Sequence, residues 1–325
     1  MKLYLGIDGG QSHTTALIAE ESGRILGRGQ AGPSNHTREP GGRERLIGAV
    51  TGSIEEAVER AGLGGRQPAF ISAHLALTGE PEEKIEIVRE IVTAEHLVVG
   101  HDAPGALAGA FAGGDGIVVL AGTGSVACGQ TTAPNGERTF VRVGGHGYLF
   151  SDEGSAFSIA REALARALRN EDAGCQGDLR PILLEYFERP NLKAIAQDCY
   201  AGVITRDRLA SFAATLAEAA ESDDAEAIDI LNSAALDLAR LASLAAHRLG
   251  VETKPMMVSY GGGVFRSPTL MVAFAANVTE FLLNGRVEAP RFGPAVGALL
   301  LAYRQSGITL NKSLLSNIER TETES

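Results

Sequence analysis

The stretch LGIDGGQSHT, residues 5–14, breaks an apolar run with an acid, two glycines and four polar residues, after which TALIAEE resumes the apolar pattern. An Asp-Gly pair between two apolar runs is the common signal of a tight β-hairpin. Consecutive backbone N–H groups in a glycine turn also form a nest for anions. Gly9 and Gly10 permit such a nest, Ser12 and Thr14 add hydroxyls, and Asp8 at the strand end can hold Mg²⁺ through its waters. Both readings agree on the local fold, which is strand, turn, strand.

Working outward, the turn signal Glu21-Ser22-Gly23 leads into RILGRGQAG (24–32), so the chain opens with three antiparallel strands. Residues 42–62 carry Leu46, Ile47, Val50, Ile54, Ala57, Val58 and Ala61 at helical spacing and stop at Gly62. A buried strand is expected over 68–79, a helix over 81–92 with Pro81 in its first turn, and a strand running into a helix over 96–114. The pattern then restarts. Residues 116–132 read as strand, glycine turn, strand, and 137–145 as a third strand. Helices follow over 151–170, 181–188, 206–221 and 224–250, then a strand over 254–263, a helix over 267–278, a strand over 281–289 and a helix over 293–305. The order β-β-β-α-β-α-β therefore occurs twice, which predicts an α/β fold. The boundaries fall at 1–114, joined by a C-terminal helix at 293–310, and 115–292, which holds the helical insertion. A length of 325 residues suits two such domains.

Composition narrows the partners. The net charge is −11 and no basic stretch stands out, which argues against nucleic acid and anionic membrane. An acidic protein that binds phosphate does so locally, through backbone amides, helix ends and a divalent ion. The chain has 40 glycines, clustered in GIDGG, AGGDG, AGTGS, GGHG and YGGG. Its three cysteines, Cys128, Cys175 and Cys199, show no CxxC spacing, so neither a disulfide framework nor a zinc site is expected. The first apolar run is short and interrupted by Asp8, unlike a signal peptide, and no window reaches transmembrane length. A cytoplasmic protein is the expectation.

The remaining motifs each carry two readings. AGTGSVACG (121–129) is a second glycine turn, with Gly122, Thr123, Gly124 and Ser125 offering two hydroxyls and two unhindered amides. No P-loop pattern occurs and Gly6-Ile7-Asp8 does not fit the dinucleotide fingerprint, so two such turns, each opening a three-strand unit, are the phosphate candidates. Asp102, between a buried strand and a helix, can be an N-cap or a general base toward a substrate hydroxyl. Asp152 in GGHGYLFSDEGSA can cap the following helix, through Ser155 and nearby amides, or bind sugar hydroxyls, with His146 on the far side of the turn. Asn35 and His36 in AGPSNHT fit a polar loop or a sugar contact. YGGGVFRSP (260–268) fits a helix-start loop or a bed for adenine, and Ala295, Gly297 and Ala298 suit a tightly packed helix.

Taken in order, GIDGGQSHT, SNH, HDAPGA, AGTGS, GGHGYLFSDEGSA, YGGGVFRS and PAVGALLLA resemble the acetate and sugar kinase, heat-shock protein and actin superfamily. Within it they are similar to the N-acetylglucosamine kinase branch of the BadF/BadG-type ATPases. The resemblance spans nearly the whole chain. It implies two ribonuclease-H-like, actin-like ATPase lobes, each with a mixed five-stranded sheet, with ATP-Mg²⁺ in a cleft between them. It further implies phosphorylation of the 6-hydroxyl of an amino sugar, and a homodimer.

By that resemblance Asp102 is the catalytic aspartate; Asp8, Gly9, Gly10, Gln11, Ser12 and Thr14 form the first phosphate turn; Gly122, Thr123 and Gly124 form the second; and Gly261, Gly262 and Gly263 form the adenosine loop. Asn35, His36, Asp102, Thr123, Ser125, Gly145, His146 and Asp152 surround the sugar. The first turn departs from the usual GGGT in reading GGQS, with Gln11 where glycine is common, and His146 stands in place of the pocket's tryptophan. Glucosamine and N-acetylmuramic acid are therefore alternative acceptors. Two rivals come from other classes. An ATP-driven activator of a radical enzyme would share an iron–sulfur cluster across a dimer, and only Cys128 lies near a suitable place. A sugar-responsive regulator would usually carry a DNA-binding extension, whereas this chain starts at its first strand.

Overall fold

The structure, a computed structural model, describes residues 1–35, 37, 39–64, 68–175 and 177–322. The chain divides into two units, Met1–Asp115 with Ala289–Ser325, and Gly116–Glu288.

In the first unit five strands, β1 (Leu3–Gly9), β2 (Thr14–Glu20), β3 (Ile25–Ala31), β4 (Phe70–Leu77) and β5 (Ala94–Gly100), lie in the order β3-β2-β1-β4-β5. The first three pair antiparallel, while β4 runs parallel to β1 and β5 parallel to β4. Helices cover both faces, which explains why β1 reads as an unbroken apolar run. Leu3, Leu5 and Ile7 meet α1 (Gly42–Arg60) and α2 (Ile85–Ile91) in one core. Tyr4 turns to the other, shared with α10 (Pro294–Gln305) and α11 (Lys312–Glu322). α3 (Asp102–Ala110) packs along α10 through small residues. A Cβ at Gly297 would lie 1.8 Å from the carbonyl oxygen of Gly105, so the two backbones touch there and only glycine fits.

The second unit repeats the topology. Strands β6 (Gly116–Ala121), β7 (Ser125–Thr132), β8 (Arg138–Gly144), β9 (Met257–Gly261) and β10 (Arg286–Val287) lie in the order β10-β9-β6-β7-β8, with the same antiparallel and parallel pairs. Between β8 and β9 stand α4 (Ala156–Asp172), α5 (Leu179–Phe187), α6 (Leu192–Tyr200), α7 (Arg206–Glu221) and α8 (Ala225–Leu249), and α9 (Pro268–Phe281) precedes β10. The core joins the sheet residues Ile117, Val119 and Val258 to Leu231, Leu238 and Ala242 of α8. Among the described residues no helix is long and apolar enough to cross a membrane.

The elements differ from the sequence expectation at five places. α6 and α11 had no counterpart, because each is short and declares itself by its cap. Asn191 accepts from the Ala194 amide at 2.8 Å and Asn311 from Leu314 at 3.0 Å. The segment 81–92 begins as a 3₁₀ turn at Pro81–Glu83 before α2 forms. The strand expected over 281–289 shrinks to two residues, since α9 runs on to Phe281. The helix expected from 151 starts at Ala156, because Asp152 and Gly154 hold positive φ (68° and 71°), outside helical geometry.

Candidate functional site

The register of the first sheet decides what meets at its edge. Asp8 pairs with Ala76 across β1 and β4, and Ala76 with Gly100 across β4 and β5. The turn after β1, the residues after β4 and Asp102 after β5 thus lie at the carboxyl ends of three adjacent parallel strands, where open α/β sheets bind ligands. The first turn is closed by the Gly10 amide on the His13 carbonyl at 3.0 Å. The Gly9 and Gly10 carbonyls accept from Thr78 (2.9 Å) and Ser34 (3.1 Å), so the loops after β4 and β3 are tied to it.

Asp102 is not the N-cap that its position suggested. His101 holds that place without a side-chain bond, and Asp102 is the first helical residue of α3. Its Oδ2 instead accepts the Thr78 hydroxyl at 2.8 Å, which fixes the carboxylate at the sheet edge. Burial and the Asp102 charge together push the Asp8 carboxyl up to about 7. Thr14 departs from its expected phosphate role. It is fully buried and its hydroxyl donates to the Gly32 carbonyl at 2.9 Å, so it braces β3. Ser34 is also fully buried, and its Oγ has no hydrogen-bond partner among the described residues. That oxygen lies against Gly9, where a Cβ would come within 2.4 Å of it. Asn35 is buried beside it, its carbonyl accepting from Arg45 Nε at 3.3 Å. His36 lies outside the described residues.

In the second unit the turn is tighter. Gly122 donates to the Gly124 carbonyl at 2.9 Å, and Ala121 pairs with Ser125 across it. The turn is anchored from behind by the 152–156 segment. Asp152 Oδ1 accepts the Ser125 amide (3.3 Å), the Glu153 carbonyl accepts the Ser125 hydroxyl (2.7 Å), and the Ala156 amide donates to the Gly122 carbonyl (2.9 Å). Asp152 is not the cap of α4. Ser155 is, accepting from Ser158 at 3.2 Å. The buried Asp152 pairs with Arg206 at 3.4 Å, and that guanidinium also lies 5.0 Å over the ring of Tyr148. A Cβ on Gly124 would stand 2.8 Å from Asp152 Oδ2.

The other expected residues gather at the same edge. Gly144 pairs with Val126, so Gly145 and the exposed His146 follow directly beside the turn. Gly261 pairs with Leu120, and Gly262, at φ +99°, runs so close to β6 that a Cβ would be 2.2 Å from the Ala121 carbonyl oxygen. Gly122 and Gly263 are sterically open.

Across residues 5–302 the chain matches the family described as BadF/BadG/BcrA/BcrD ATPase. It belongs to that family. A relative in Clostridium acetobutylicum, an N-acetylmuramic acid/N-acetylglucosamine kinase, is 27% identical over 271 residues, covering 82% of this chain and 87% of the relative. A glucosamine kinase of Vibrio cholerae is 28% identical over 269 residues, covering 80% and 85%. The solved structure of a protein assigned as an N-acetylglucosamine kinase of Chromobacterium violaceum superposes with a TM-score of 0.75 at 25% identity, covering 93% of this chain and 99% of that one.

In this member of the BadF/BadG/BcrA/BcrD family three further residues, which sequence reasoning missed, contact the candidate site. Thr78 donates to Asp102, Lys84 donates to the Thr78 carbonyl, and Arg206 pairs with Asp152. No pattern marked Lys84, a lysine in a charged segment, which the fold nevertheless buries to 1% exposure. Arg206 lies 54 residues from its partner, and only tertiary folding brings them together.

Proposed function

We propose that the chain is an ATP-dependent kinase that transfers the terminal phosphoryl group to the 6-hydroxyl of an amino sugar, with N-acetylglucosamine as first acceptor and glucosamine and N-acetylmuramic acid as alternatives. The observation that carries this is Asp102, a carboxylate fixed by Thr78 at the same sheet edge as the Asp8-Gly9-Gly10 turn. Kinship with amino sugar kinases supports the acceptor class.

In this reading the amides of the two glycine turns take phosphate oxygens, and Gly261–Gly263 lies against the adenosine. Asn35, Asp152 and the Thr123–Ser125 turn take sugar hydroxyls. Asp102 aligns the acceptor hydroxyl and receives its proton. Phosphoryl transfer is loose in character, so positioning outweighs base strength. Asp8 fits a divalent cation, because its ionisation is opposed by burial and by Asp102, and a cation relieves both. Mg²⁺ there, held through water, would neutralise charge on the transferred phosphoryl group. The same reading includes a homodimer, to be checked by sedimentation, and a cytoplasmic site of action, where ATP is found.

ADP release measured with N-acetylglucosamine, glucosamine, N-acetylmuramic acid, N-acetylmannosamine and glucose tests the proposal. Sugar-dependent ADP release with one of the first three is expected. Sugar binding without turnover would point to a regulator, and a coloured protein that hydrolyses ATP without any sugar to a redox activator.

A further inference from the structure

Thr78, the first residue after β4, commits every polar group it has. Its amide donates to the Gly9 carbonyl at 2.9 Å, its hydroxyl to Asp102 Oδ2 at 2.8 Å, and its carbonyl accepts from the ammonium of Lys84. Lys84 reaches that carbonyl from the junction between the 3₁₀ turn Pro81–Glu83 and α2. Gly79, at φ +97°, turns the chain between the two in a conformation that favours glycine.

A buried ammonium is costly, and most lysines extend the charge to water while burying only the stem. This one turns its charge inward, at 1% exposure. Burial pushes the ammonium below the usual lysine value, and the Asp102 carboxylate is the strongest influence drawing it back up, ahead of Glu83 and Glu80. A methionine would fill the same stem volume without that cost, so filling space does not account for a charged group here.

We propose that Lys84 is a positioning residue for Asp102: its buried ammonium holds the Thr78 peptide so that the Thr78 hydroxyl clamps the carboxylate and the Thr78 amide clamps the first glycine turn. The base and the phosphate nest are thereby set in register through one residue. The inference rests on the reading of Asp102 as the base.

The test is steady-state kinetics with the acceptor that turns over fastest among the five sugars, on Lys84→Met, Thr78→Val, Thr78→Ser, Asp102→Asn and the double variant K84M/T78V. Misplacing a reacting group by about 1 Å can cost about 100-fold. Lys84→Met and Thr78→Val are each expected to lower kcat about 10- to 100-fold, with KM for ATP and sugar within about twofold. Thr78→Ser is expected to recover most of the kcat that Thr78→Val loses, and the double variant falls no further than the worse single one, as for groups acting in one chain. Wild-type kcat in Lys84→Met, a change confined to thermal stability, or additive losses in the double variant overturns the proposal. If Lys84→Met does not fold, the contrast between Thr78→Val and Thr78→Ser decides, because a clamp needs the hydroxyl that only serine keeps. Full turnover in Asp102→Asn would instead overturn the assignment of the base, separating that failure from this one.

Discussion

After β1 the chain turns through Gly10–His13 with an acid of its own, Asp8, and a second carboxylate, Asp102, near enough to oppose its ionisation. After β6 it turns through Gly122–Gly124 with no acid in the turn, and the carboxylate behind it, Asp152, is already paired with Arg206. The two turns end equivalent strands of two sheets with the same strand order. Their charge is handled in opposite ways. The first turn concentrates negative charge that a cation would relieve, which is why the proposed function puts the metal-bound phosphate there. The second spends its carboxylate and its serine on fixing its own backbone, as suits a rigid cradle.

The comparison breaks most readily at Asp102. Asp102→Asn is expected to lower kcat about 10²- to 10⁴-fold with little change in KM for ATP; turnover within a few-fold of wild type would end the assignment of the base. Asp152→Asn weakens the Arg206 pair and is expected to raise KM for the sugar about 10-fold or more while kcat falls less, because removing one partner of a buried charge pair is costly. An unchanged KM would show that Asp152 serves the fold alone.

Asp8 sharpens the contrast through pH. An aspartate ionises near 3.8 in an unfolded chain and near 7 here, so the folded state holds the proton longer. Stability without nucleotide or metal therefore falls as pH rises from about 4 to 7 and levels off above. Asp8→Asn removes that slope and is expected to melt a few degrees higher than wild type at pH 8 while losing most activity. Equal melting curves at pH 5 and pH 8 for both proteins would contradict this. The smallest effect is expected at Thr14. Its hydroxyl bonds the Gly32 carbonyl, so Thr14→Val costs about 1 kcal/mol of stability and leaves kcat within about twofold, checked by urea unfolding beside the activity assay.

The strand–turn–strand frame of this candidate site was legible in the sequence because its signals are local. DGG, GTG and GGG each permit a sharp turn or a close backbone approach within a few residues, and the order of strands around them gives the duplicated α/β plan. For residues whose bonds depend on distant neighbours the sequence left two readings open or gave no signal. Asp102 and Asp152 both sit just before or at helix starts, which is where caps belong, yet each is bonded elsewhere, to Thr78 and to Ser125 and Arg206. Thr14 looked like a phosphate hydroxyl because it follows the turn, but it is a buried strand residue whose hydroxyl is given to the Gly32 carbonyl.

Sequence alone determined most of the element types, the two glycine turns and the identity of the acids, since propensity and turn chemistry act between residues close in the chain. Tertiary structure alone decided how those acids are used. Parallel pairing of β1, β4 and β5 brings Asp8, Thr78 and Asp102 to one edge, and burial turns Lys84 inward. Register and desolvation belong to the folded sheet as a whole, and no single stretch of sequence carries them.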